Sequence, residues 1–74
     1  SFQEAVTVFY DPLAKLAEDP DHSADEDRFI LIGHSRRHNL LFVVHVHREG
    51  SDAIRIISAR KATAKERKDF EEIR

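Results

Sequence analysis

No cysteine, methionine or tryptophan occurs in the 74 residues, and glycine and proline occur twice each. Without cysteine there is neither a disulfide scaffold nor a thiolate metal site, and nothing points to an oxidising compartment. Gly33 and Gly50 stand too far apart for a glycine-rich phosphate loop, and neither G-x-S-x-G nor H-E-x-x-H occurs. No apolar run approaches the roughly 20 residues of a membrane span, and no basic-then-apolar leader opens the chain. These absences predict a soluble, cytoplasmic protein. The missing methionine predicts a chain that begins downstream of its natural start. The length allows one domain over residues 1–74, and its core is thin, because so short a chain buries only about 60% of its unfolded surface.

What is present is charge, unevenly placed. The formal net charge is −2. Lys15 is the only base in residues 1–27, against eight acids, whereas residues 53–74 carry seven bases and four acids. A basic half attracts phosphate even where the whole molecule is slightly acidic. Neutralisation of the two halves on one surface accounts for the same pattern, so charge alone decides nothing.

Ser1 and Glu4 fit a capping box, and Phe2, Ala5, Val6 and Phe9 recur at helical spacing until Asp11-Pro12 stops them. A helix is predicted over residues 2–10, followed by a short apolar strand or extended edge over 13–17. Residues 19–27 read as an acidic loop broken by Pro20, with room for one turn capped by Ser23 and Glu26. Three strands follow over 28–34, 40–47 and 53–59, separated by a polar turn over 35–39 and a Gly50 turn. Thr63 and Glu66 form a second capping box that opens a helix over 63–73. The predicted fold is α+β: a small antiparallel meander packed with an N-terminal and a C-terminal helix.

Strand side chains alternate between faces. With Leu40, Phe42, Val44 and Val46 on the core side, Ile54 and Ile56 join them from the third of these strands, and Ile30 and Ile32 from the first. His45, His47 and Arg55 then share the opposite face.

His45-x-His47 has a spacing that metal sites use, but zinc needs three or four convergent ligands, and spacing fixes no third. Half-buried, hydrogen-bonded imidazoles are the plainer reading, and no metal or cofactor is expected. Arg55 within an apolar strand either pairs with a carboxylate (Glu66, Asp25, Glu26 or Asp27) or faces an anion. Arg60-Lys61 precedes the first-turn amides of the last helix, where phosphate is favoured, although a solvated turn explains the same pair. Arg36-Arg37 reads simply as a solvated hairpin turn.

Phe2-Gln3-Glu4-Ala5, Val8-Phe9-Tyr10-Asp11-Pro12, His22-Ser23 with Glu26-Asp27-Arg28, Ile32-Gly33, Leu41-Phe42-Val43-Val44-His45, and residues 54–63 followed by Glu66-Arg67 occur in that order. The series resembles the BrnT family, ribonuclease toxins of type II toxin–antitoxin pairs with a RelE-like fold. The resemblance spans nearly the whole chain, and its most specific part is residues 55–67. It implies a translation-inhibiting enzyme that cleaves mRNA without metal, the RNA's own 2′-hydroxyl attacking the adjacent phosphate. It also implies a BrnA-like antitoxin partner that covers the toxin. Members normally begin with an F-x-W-D strand and an N-x-x-K-H-G region. Neither is in this sequence, which predicts an N-terminally truncated domain of reduced stability and activity, with a sheet edge open to self-association.

Carried onto this sequence, the resemblance assigns phosphate and transition-state stabilisation to Arg55 and Arg60, and proton transfer to Glu66 or His45. Lys61, Arg67 and His47 are the RNA-binding candidates. His22, Glu26, Asp27 and Arg28 are second choices, explained equally well as a loop pinned by an Arg28–carboxylate pair. Thr63, and Glu66 with it, are accounted for by capping alone. A non-enzymatic interaction module, a degenerate toxin that only binds a partner, remains the alternative.

Overall fold

The computed structural model describes residues 2–19, 27–47 and 53–72. Along them run helix α1 (Phe2–Thr7), a 3₁₀ turn (Val8–Tyr10), strands β1 (Lys15–Glu18), β2 (Asp27–His34), β3 (Leu40–His47) and β4 (Ile54–Lys61), and helix α2 (Ala64–Glu72). The four strands form one antiparallel sheet in the order β1-β2-β3-β4. This is the α+β meander expected, with the short apolar stretch before the acidic loop realised as an edge strand. The predicted Ser1 cap and the turn capped by Ser23 and Glu26 lie outside the described residues, as does the Gly50 turn.

The main buried cluster lies on the other side of the sheet from the one predicted, although Leu40 and Val46, on the predicted side, are buried as well. Ala5, Val8, Leu31, Leu41 and Val43 form the buried cluster, with Phe9, Ala14 and Ile56 packed against it. Leu31 pairs with Val43 and Gly33 with Leu41, so α1 and the 3₁₀ turn cover the odd-numbered face of β2 and β3. β3 is apolar on both faces, so its own alternation cannot choose between them. Gly33 makes the choice. A Cβ there would stand 2.7 Å from the Ala14 Cβ and 3.1 Å from Val8 Cγ1, so only a bare Cα lets the turn close on the sheet.

A bulge in β4 adds a second departure. Val44 pairs with Ser58 and His45 with Ile56, which leaves Ile57 as the extra residue. Ile54 and Ile56 therefore lie opposite His47 and His45, whereas Arg55 lies opposite Val46 on the other face. The predicted sharing of one face by His45, His47 and Arg55 does not hold.

α2 begins at the capping box read from the sequence. The Glu66 backbone N–H donates to Thr63 Oγ1 at 3.1 Å, and the Thr63 N–H donates to Glu66 Oε1 at 2.9 Å. Phe70, the buried residue of α2, meets the His34 ring edge-on with 5.9 Å between centroids.

Candidate functional site

Cross-strand pairing sets three rows of side chains on the even-numbered face: Arg28–Val46–Arg55, Ile30–Val44–Ser58 and Ile32–Phe42–Arg60. Half-buried Ile30, Ile32, Phe42 and Val44 make an apolar strip. Arginines flank it at both ends. Val46 and Phe42 are four residues apart, so the rows holding Arg55 and Arg60 are separated by about 13 Å at the usual strand rise.

Arg60 is the best-fixed cation of this face. Its Nη1 and Nη2 donate to Glu66 Oε1 and Oε2 at 2.7 and 2.9 Å, a bidentate fork, and Nη1 also reaches the Lys61 carbonyl at 3.3 Å. Its Cζ stands 4.3 Å from the centroid of the Phe42 ring. The Arg60 hydrogen bonds, helped by the Thr63 N–H, outweigh partial burial and hold the Glu66 carboxyl down at about 2. The same contact raises Arg60 further above its already high value. Glu66 is therefore an ionised clasp on Arg60, and so weak a base takes up a proton poorly near neutral pH.

Glu66 was one of the carboxylates expected to pair with Arg55. It is taken by Arg60, and Arg55 is exposed and makes no ion pair among the described residues. The Arg28 Nε is buried without a hydrogen-bond partner among them. The carboxylates of residues 21–26 and the Asp27 side chain, like His22, lie outside the described residues. Lys61 and Arg67 are exposed, Lys61 opposite Leu41 and Arg67 on the first turns of α2. His47 is exposed on the face that α1 covers, opposite Ile54.

His45 is only 4% exposed, on the face away from Arg55 and Arg60. Phe9 meets its ring edge-on at 5.0 Å and Phe29 stacks at 5.9 Å. Burial lowers its pKa against an opposing pull from the Val43 backbone, and its Nδ1 has no hydrogen-bond partner by strict geometry among the described residues. The geometry gives this ring a packing role.

A second constellation, unrecognised in the sequence, lies at the β2–β3 hairpin. Asp11 Oδ2 accepts the His34 backbone N–H at 2.7 Å and Oδ1 accepts that of Leu13 at 3.0 Å. Burial pushes the Asp11 carboxyl up, but these N–H groups prevail and hold it below its usual value. Glu4 Oε2 accepts from Ser35 Oγ at 2.6 Å and Asn39 Nδ2 at 2.7 Å, which lowers its pKa. Thr7 Oγ1 accepts the Arg36 N–H at 2.8 Å. These bonds fasten α1 and the segment after it to the hairpin, beside an open cleft of about 370 Å³ whose walls include Tyr10, Asp11, His34, Arg36 and His38. The signals were there, but Asp11-Pro12 reads as a helix stop and Arg36-Arg37 as a solvated turn.

Among the described residues no three histidine or carboxylate groups converge as a metal site, and no helix is long and apolar enough to cross a membrane. A family model for the ribonuclease toxin, BrnT, of type II toxin–antitoxin systems matches residues 1–66. No curated protein matches the chain.

Proposed function

The chain belongs to the BrnT family of type II toxin–antitoxin ribonuclease toxins, and from that premise we propose that it cleaves mRNA without a metal ion. The observation that carries this reading is the fixed Arg60 guanidinium on the same sheet face as Arg55. In a 2′-hydroxyl attack the negative charge on the phosphate oxygens grows, and preorganised donors aimed at those oxygens lower the barrier. Phe42 and Glu66 hold the Arg60 plane, so the position of its positive charge is set before charge develops on the phosphate. Glu66 is then a positioning residue, and His45 is part of the core. Lys61 and Arg67 flank the fork and add charge for the RNA backbone.

The test is RNA incubated with the purified protein in excess chelator. Fragments ending in 2′,3′-cyclic phosphate are expected. Intact RNA, or cleavage only after a divalent cation is returned, overturns the reading. One observation favours the non-enzymatic alternative: the Glu66 clasp already occupies the Arg60 fork. The same incubation decides between the two.

A toxin of this class has an antitoxin partner. We infer that a BrnA-like antitoxin covers the even-numbered face, because the apolar strip between two arginine rows suits a segment carrying apolar and acidic side chains. The outer edges of β1 and β4 offer a route to self-association. Co-expression with the product of the adjacent reading frame tests the partner.

A further inference from the structure

We propose that the hairpin cleft is a nucleotide subsite, in which the Tyr10 ring stacks on a base while Arg36 and His38 donate hydrogen bonds to its phosphate. The proposal rests on the ribonuclease reading and extends it to RNA contacts outside the Arg55–Arg60 face.

Four observations carry it. The cleft, about 370 Å³, lies within the size range of small-molecule sites. Tyr10 is 82% exposed, and its ring is a flat apolar surface that the core does not use. Every base presents a π-face to such a ring, so stacking binds single strands with little sequence preference. Next, the walls are held in place. Asp11 has both carboxylate oxygens engaged by backbone N–H groups, and its Oδ2 lies 3.8 Å from Nδ1 of the His34 ring, whose side chain is 43% exposed.

The third observation is His38 itself, which has φ 67°. It ends a three-residue loop in which the His38 N–H donates to the Ser35 carbonyl and the Ser35 N–H to the Asn39 carbonyl, both at 2.9 Å. That left-handed position favours glycine, so an imidazole there is strained backbone in exchange for a donor at the cleft wall. Arg36 and Arg37, the other loop residues, supply positive charge beside it.

The fourth is location. His34 pairs with Leu40, while Ile32, Phe42 and Arg60 form the adjacent row. Two strand spacings and one residue pair put His34 on the order of 12 Å from Arg60. An RNA strand leaving the Arg60 phosphate reaches the cleft within a few nucleotides.

Adenosine 5′-monophosphate is the probe, with inorganic phosphate beside it, read by proton NMR. Tyr10 is the single tyrosine, so its ring signals are unambiguous. Saturable shifts of the Tyr10 and His38 rings by the nucleotide are expected. Tyr10→Ala should weaken nucleotide binding about ten- to a hundredfold and leave inorganic phosphate unchanged. His38→Gly should weaken both ligands while raising the melting temperature by a few degrees, so a folding defect cannot explain the loss. Tyr10→Ala should also raise KM for RNA with little change in kcat.

Equal nucleotide affinity in wild type and Tyr10→Ala overturns the proposal. So does inorganic phosphate binding as tightly as the nucleotide, or shifts confined to Arg55 and Arg60. If RNA is cleaved and the cleft takes no nucleotide, the subsite fails and the ribonuclease reading stands. If the nucleotide binds and RNA stays intact, that reading fails while the cleft keeps its ligand class.

Discussion

Replacing Gly33 by alanine adds one methyl group at the point where the 3₁₀ turn and the segment after it close on the sheet. The new Cβ would lie 2.7 Å from Ala14 Cβ, 3.0 Å from Asp11 Oδ2 and 3.1 Å from Val8 Cγ1. The first of these contacts is shorter than carbon atoms tolerate, and Ala14 has no flexible side chain to swing away. Overpacking of this kind costs about 1–3 kcal/mol. Turning Asp11 aside also weakens its bond to the His34 N–H, and a hydrogen bond to a charged group contributes about 1.5–3 kcal/mol. The expected total is about 3 kcal/mol, a large share of what so small a domain has. At 4–8 °C per kcal/mol, the melting temperature should fall by roughly 12–24 °C. Urea unfolding followed by circular dichroism measures it, with the m-value confirming that the two end states are unchanged. Gly33→Ala combined with Ala14→Gly removes the closest clash and should recover part of the loss. A Gly33→Ala protein melting within 2 °C of wild type would refute the close approach, and with it the account of why α1 lies on this face.

The remaining expectations concern the capping box and the titrating groups. Thr63→Ala should cost about 1 kcal/mol in thermal unfolding, because the Glu66 N–H loses its acceptor. No change would mean that α2 does not depend on its cap. Burial lowers the His45 pKa in the folded state, so the unfolded chain takes up the proton first as pH falls. Stability from the neutral ring is full above the ordinary value of 6.5 and is lost as pH falls below it. His45→Leu should flatten that slope in denaturation series between pH 7 and 5, and an unchanged slope would place the ring in water. Glu66 works in a lower window. Its stabilisation is complete above the ordinary 4.5 and disappears as pH falls toward about 2, so Glu66→Gln should remove that last stage of acid destabilisation. An identical acid profile in Glu66→Gln would show that the Arg60 fork does not persist in solution.

The elements were legible because each depended on local chemistry. The Thr63–Glu66 box, the alternation bounded by polar turns, and Asp11-Pro12 all act within a few residues. The facing of the sheet was not legible from β3, whose two faces are both apolar. Gly33 held the information, but as a lack of volume, and only the position of Ala14 shows why volume matters there. The extra residue Ile57 alone separated His45 and His47 from Arg55. No sequence rule marks that bulge. The pairing of Arg60 with Glu66 was hidden by its economy, since one carboxylate both caps α2 and clasps the guanidinium. The hairpin cleft draws on residues 10–11 and 34–38, which only the folded chain brings together.

The most direct test compares RNA cleavage rate and melting temperature for wild type, Arg55→Ala and Arg60→Ala. The Arg60 side chain is half exposed, and exposed ion pairs contribute only about 0.2–1 kcal/mol, so Arg60→Ala should remain folded with a melting temperature a few degrees lower at most. Loss of a donor to the transition-state oxygens costs about 2.7–4 kcal/mol, a hundred- to a thousandfold in rate. The account predicts that loss for at least one of the two variants, with the fold intact and the chelator present. Wild-type cleavage rates in both folded variants would contradict it.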